Sequence, residues 1–339
     1  MKQTNLLLVA LAMLLTTSLA AQNFSDALRY SHFQVEGTAR FMGAGSALGP
    51  LGADFSVIST NPAGLAWMRR SEFVISPGLY TNTTQSELVN GGNNKLFEDN
   101  DATFALPNVG LVIASHSGSD WKSFNFGVGL NRLADFNQQF FYQGQSRGSI
   151  VNRFEELANG QDALDDFESG LAYDADALLY DNGFYFSDFT DVPESVIERS
   201  QSISRSGSLN EFAFGFGANY DDKVMWGLAI GVPFLSYEED KMYDESDPNE
   251  EVPFFNSLNY AENLRVEGGG INVKLGLIIR LNQAVRIGGA IHTPTYYELT
   301  ETYTTDMSYR YTYEEQDYTG TALSPEGNFT YSLRTPWRF

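Results

Sequence analysis

The chain has no cysteine in its 339 residues. That excludes a disulfide framework, a thiolate metal site and a lipid-modified N-terminal cysteine. Histidine is nearly as scarce. His32, His116 and His292 are far apart in sequence and in strand register, so no metal centre is expected from them. Cations are few, 21 Lys and Arg against 43 Asp and Glu, giving a formal net charge of −22. So anionic a chain lacks the basic face that nucleic acid requires. No apolar stretch approaches the length of a transmembrane helix. The apolar run at Leu6 to Leu15 is too short to span a bilayer, and with Lys2 before it and small residues at Ser18, Ala20 and Ala21 it reads as a secretory signal over residues 1–21. The chain is therefore expected to be exported without a helical anchor.

What is present is alternation. Aromatic residues make up 14% of the chain, and they recur with period two among other apolar residues. Phe73, Ile75 and Leu79 share one face. Val109, Leu111 and Ile113 follow, then Phe124, Phe126, Val128 and Leu130, and then Phe212, Phe214 and Phe216. Further rows are Trp226, Leu228, Ile230 and Val232, then Ile271, Val273, Leu275, Leu277 and Ile279. The last is Phe329, Tyr331, Leu333, Trp337 and Phe339. The intervening positions are mostly Gly, Asn, Ser and Thr with scattered Arg, not the Lys and Glu of a soluble surface. Apolar rows of about 10 residues with aromatic ends predict lipid-facing strands. About 8 strands are expected, in an all-β, antiparallel transmembrane barrel occupying residues 71–339.

The connections alternate in length. Short polar turns are expected at 115–120, 220–223 and 282–283, and long loops at 81–103, 134–210, 236–263 and 298–328. Short turns on one side and long loops on the other is the pattern of outer-membrane barrels. Most of the acidic residues fall in the long stretches, so the outer surface is expected to be strongly anionic. Within 134–210, Ser149 is positioned to cap a helix ending near Gly160, with an apolar stripe of Ile150, Val151, Phe154 and Leu157. Phe154, Leu157, Phe184 and Phe186 are candidates for an external ligand groove; self-packing of the loop is the alternative.

Residues 37–65 are too rich in Gly and Ala for a strand and too interrupted for one helix. Asn61 followed by Pro62 reads as a helix start, and an earlier short helix is expected at 23–33, capped by Ser25 or Asp26. Gly37, Gly43 and Gly45, then Asp54, then Asn61-Pro62-Ala63-Gly64-Leu65, resemble the N-terminal hatch of the FadL/TodX outer-membrane transporters of long-chain fatty acids and other hydrophobic compounds. The resemblance covers residues 27–80 and thereafter concerns architecture. It implies a hatch of short helices over 22–70, with Gly43, Gly45, Asn61, Pro62, Ala63 and Gly64 in the moving part. It also implies a kinked third strand, for which Gly127 and Gly129 are the candidate weak points. So few strands leave no room for a hatch inside: either the N-terminal segment lies outside the barrel or the chain lacks further strands, and on the strength of the hatch resemblance C-terminal truncation is the expectation.

No catalytic constellation is found. The Gly-x-Gly and Gly-Gly-Gly runs lie in or beside strands, so they are not phosphate loops. Asp244, Asp247, Asn249 and Glu250 lack the glycine turn of a calcium loop. The expected function is passive uptake of hydrophobic, fatty-acid-like molecules across the outer membrane of a Gram-negative bacterium. The carrier is expected to be a monomer in contact with membrane lipid, without cofactor, metal or enzymatic activity. The alternative is a surface adhesin or assembly-partner barrel with a static plug.

Overall fold

The period-two rows do form antiparallel strands. The computed structural model describes residues 24–34, 36–89 and 95–339; the expected signal at 1–21 lies outside them. The chain divides into two compact units, residues 1–33 and 34–339. The first is represented by α1, Phe24–Ser31, which begins ahead of both Ser25 and Asp26. Asp26 instead sits in the first turn and bonds Arg29 at 2.9 Å.

The second unit is dominated by one antiparallel sheet. Its strands are β1 (Glu72–Ser86), β2 (Phe97–His116), β3 (Trp121–Asp135), β4 (Gln138–Arg147), β7 (Val196–Tyr220), β8 (Val224–Ser246), β9 (Phe255–Arg280), β10 (Arg286–His292), β11 (Tyr296–Tyr313), β12 (Gln316–Leu323) and β13 (Gly327–Arg334). A separate small hairpin joins β5 (Leu179–Asp181) to β6 (Phe184–Phe186). The main path is β1-β2-β3-β7-β8-β9-β11-β12, with β4 on β7, β10 on β9 and β13 on β11. Along the main path successive strands pair as in an up-and-down meander, whereas β3 with β4, β10 with β11 and β12 with β13 share no ladder among the described residues. Among the described residues no ladder joins β1 to β12 or β13.

The short turns fall where the sequence places them. Tyr220 pairs with Val224 around Asp221 and Asp222, both at φ 52°. The long loops do not. Residues 236–246 and 255–263, expected as loop, extend β8 and β9 in continuous register from Ser236–Glu267 to Ser246–Ser257. The same holds for 81–86 with 97–103 and for 306–313 with 316–323. Acidic, Ser and Tyr side chains occupy both faces there, so hydrophobic alternation disappears while the backbone ladder continues.

The sheet has two unlike faces. On β8, Trp226, Leu228, Ile230, Val232 and Phe234 are exposed, while Met225, Gly227, Ala229, Gly231 and Leu235 between them are buried. The exposed rows continue across Phe126 on β3, Phe214 on β7 and Leu275 on β9. At the short-turn end they finish in an aromatic cluster, with Trp121 against Tyr220 at 5.2 Å and Trp226 against Phe216 at 5.3 Å.

At the other end, residues 148–195 form a packed insertion. The helix expected after Ser149 is α2, Ile150–Gly160, begun by a capping box between Ser149 and Asn152. A further helix, α3, spans Ser169–Asp174. Ahead of it the Asp165 carboxylate accepts from the backbone N–H of Phe167, Glu168 and Ser169. Burial opposes ionisation of Asp165, but the Ser169 hydroxyl and these N–H donors outweigh it and hold the carboxyl below its usual range. Val151, Phe154, Leu171, Leu178 and Phe189 then pack on Tyr243, Phe255, Leu258, Tyr260, Met307 and Tyr309 of the extended strands.

Candidate functional site

Residues 37–68 lie on the covered face of the sheet. Two short 3₁₀ turns carry the contact. Asp54 caps Phe55–Ser59 through Ser56 N–H at 2.9 Å. Asn61 caps Pro62–Trp67 through Ala63 N–H at 3.2 Å, with Pro62 at the first position. The Asn61 amide also donates to the Gly49 carbonyl at 3.1 Å, tying the turn to the glycine-rich run before it. The expected helix start at Asn61 is thus present, in 3₁₀ rather than α geometry.

A lane of glycines makes room for this segment. A Cβ on Gly110 or Gly129 would meet the Phe55 ring, and one on Gly215 would meet Ile58 at 2.7 Å. A Cβ on Gly217 or Gly227 would strike the backbone of Ala66 or of Pro62 and Ala63; one on Gly276 would strike Asn61. The lane crosses β2, β3, β7, β8 and β9 at positions joined by the ladder, including Gly127–Gly215 and Gly227–Gly276. Phe55, Ile58, Leu65 and Met68 pack there on Val112, Ala213 and Ala229. A Gly227→Ala protein is therefore expected to lose about 1–3 kcal/mol by overpacking. Gly289→Ala, with nothing within 4 Å of its new methyl, is expected to stay within about 0.5 kcal/mol. Thermal unfolding of both in detergent checks the contrast; equal midpoints would contradict the lane.

Side chains of the sheet also bond the segment. Asn125 donates to the Leu65 and Met68 carbonyls at 2.7 and 2.8 Å, and the Ser123 hydroxyl donates to the Ala66 carbonyl at 2.9 Å. These donors satisfy the Ala66 and Met68 carbonyls at the end of the Pro62–Trp67 turn, and add to the Leu65 carbonyl, which also accepts from Met68 N–H. His292 Nε2–H donates to the Thr60 carbonyl at 2.6 Å.

Between these contacts lies a buried ionic cluster. Glu211 on β7 and Lys274 on β9 form an ion pair, both nearly inaccessible to solvent. They reach each other across β8 at Gly231, where a Cβ would meet the Glu211 carboxylate at 2.3 Å. The Ser59 hydroxyl donates to Glu211 at 2.8 Å, and Asn131 donates to Ser59 Oγ at 2.7 Å. Asn272 donates to Glu211 at 3.3 Å and to Thr295 at 3.1 Å. The cluster thus holds residue 59 of the N-terminal segment to three strands of the sheet.

Of the residues singled out from sequence, Asn61, Pro62, Ala63 and Gly64 belong to this interface and are buried. Gly43 and Gly45 lie in the turn beyond it, with nothing within 4 Å of an added Cβ. Gly127 and Gly129 do not interrupt their strand. The interruption falls further on, with a register shift between Arg132 and Ala134 and a break between β3 and β4. The glycines instead accommodate Phe55, Ile58 and Leu65.

Phe154 is fully buried in the insertion core, and Leu157 is half-buried. Phe184 and Phe186 project from the β5–β6 hairpin, Phe184 being 69% exposed. Helix and hairpin meet through Asn159, which exchanges hydrogen bonds with the Tyr185 backbone. Glu211 and Lys274 were not anticipated as a site. The available signal was an acid on β7 and a base on β9 on a face lined largely by Gly, Ala and Asn.

Among the described residues, no group of three or more His, Cys, Asp or Glu side chains is placed to hold a metal ion. No known family, curated protein or solved structure matches this chain.

Proposed function

We propose that the chain is a membrane-embedded β-barrel wall carrying a displaceable N-terminal hatch, and that it passes hydrophobic small molecules across the outer membrane. The observation that carries the reading is the seating of residues 37–68 on a glycine lane with a buried ionic cluster beside it. Only small side chains separate segment and wall there, so a modest shift opens space along the covered face. The exposed apolar rows, ending in aromatic residues, match a lipid-facing surface. In water, so large an apolar face would be an association surface. The break between β3 and β4 supports a lateral exit, because among the described residues the part of β2 ahead of Asn108 has no ladder to β3 or β4. Fatty-acid-like ligands fit such a path, since an apolar solute gains by leaving into the bilayer.

Asn61→Ala tests the hatch. Loss of the cap is expected to weaken the segment by about 1 kcal/mol. Two hatch positions that differ by a few kcal/mol would be rebalanced by such a change. Uptake of a long-chain fatty acid by cells bearing equal surface levels of mutant and wild-type protein is expected to differ, with the sheet intact in both. Equal uptake would remove the gating role. A second reading, a surface adhesin with a static plug, is favoured by the exposed Tyr180, Phe184 and Phe254 of the distal region and predicts that equality.

A further inference from the structure

The chain's arginines are not scattered evenly. Four of its 21 cationic residues, Arg40, Arg69, Arg70 and Arg286, converge on one open cleft of about 450 Å³. The single carboxylate lining it is Glu72. β1 begins and β2 ends beside the cleft, and β10 begins there, so it lies at the short-turn end of the sheet. The aromatic cluster of Trp121, Tyr220 and Trp226 marks that same end.

Converging like charges repel unless a counter-charge joins them. Among the described residues, none of the four forms an ion pair with a protein carboxylate. Two are held in place by other means. Arg286 stacks over the Trp67 ring at 4.4 Å, and Arg40 donates to the Ala53 carbonyl at 2.9 Å. These contacts orient the guanidinium planes and leave further N–H donors free. Arg69 and Arg70 are exposed and make no side-chain hydrogen bond among the described residues. The Trp67 indole beneath Arg286 is 9% exposed, and its Nε1–H has no acceptor among the described residues.

We propose that this cleft is a binding site for a phosphate oxyanion. Guanidinium forks match phosphate geometry in a bidentate way. A carboxylate has two oxygens and one charge, too little for four converging guanidiniums, whereas a phosphate group offers more acceptor oxygens and, as a monoester, about two charges. The phosphate can belong to a phospholipid headgroup of the leaflet at the short-turn end or to a soluble anion. The site does not depend on the transport reading: it concerns the rim of the sheet, not passage through it.

The test uses the full chain in a maltoside detergent, free of phosphate, at low ionic strength. Two probes are titrated by calorimetry: short-chain phosphatidic acid, whose headgroup is a phosphate monoester, and inorganic phosphate. Saturable binding of at least one probe is expected. Arg69→Gln and Arg70→Gln, whose side chains make no hydrogen bond or ion pair among the described residues, are each expected to weaken it about tenfold. Arg286→Gln is expected to do the same, with its fold checked by circular dichroism. Lys223→Gln removes a cation at the same end of the sheet that is already paired with Asp221, and is expected to change nothing. Binding of the lipid alone assigns the site to a headgroup; comparable binding of both assigns it to phosphate of either source. Saturable binding of neither probe would overturn the proposal. So would an unchanged affinity in the Arg69 and Arg70 variants, or an equal loss in Lys223→Gln.

Discussion

Replacing Lys274 with alanine is expected to destabilise the folded protein by about 3–5 kcal/mol, because it strands the buried Glu211 carboxylate without its counter-charge. Glu211 is 1% exposed. Its remaining donors would be Ser59 and Asn272, too weak a set for a desolvated anion. Glu211→Ala is expected to cost a similar amount by stranding the ammonium. Exchange of both for leucine is expected to cost less than either single change, since neither member of the pair is then left buried without its partner. The measurements are thermal unfolding of the four proteins in one detergent and protease access to residues 37–68. Because Ser59 bonds Glu211, the single variants are expected to expose that segment at temperatures where the sheet persists. Single variants within 1 kcal/mol of wild type, or a double variant worse than both, would contradict a buried pair that holds the segment.

The second large effect lies on the opposite face. On the membrane reading, Leu228→Arg and Leu275→Arg place a charge among the lipid-facing rows and are expected to cost about 2–4 kcal/mol each near the midplane. The two leucines pair across β8 and β9, so their costs are expected to agree. Asp240 shares β8 and its exposed face with Leu228 but lies in the polar extension. Asp240→Arg is expected to change stability by less than about 0.5 kcal/mol. Inward positions do not supply a mild comparison, because Asn272 is itself part of the Glu211 cluster. Refolding equilibria into lipid vesicles measure all three. A cost for Leu228→Arg no larger than that for Asp240→Arg would sink the lipid-facing assignment. So would a water-soluble monomer with the same fold.

The strand rows were legible because one physical regime acts on every other residue. Apolar side chains on the exposed face, and small ones where the packed segment covers the other, give period two from Phe73 to Ile279. Beyond Phe234 that regime ends, and Ser236, Glu238 and Asp240 alternate with Tyr237, Glu239 and Lys241. No hydrophobic signal distinguishes such a ladder from a loop, so residues 236–263 read as loop although the pairing continues. The caps were legible for a different reason: Ser149 and Asn61 act on backbone groups within three residues, a range over which sequence and space coincide.

By itself, therefore, the sequence determined an antiparallel sheet with short turns at one end, a cysteine-free anionic chain, and the local starts at Asn61 and Ser149. Only the tertiary structure decided what the glycines are for. Gly127 and Gly129 read as weak points in a strand, yet they make room for Phe55, Ile58 and Leu65, residues some 60 to 75 positions away in the chain. It likewise decided that Glu211 and Lys274 meet across Gly231, and that four arginines from two distant stretches share one cleft. Close packing and charge pairing depend on distance in space, and between strands that distance is set by register. Register is a property of the paired sheet, which no single strand's sequence contains.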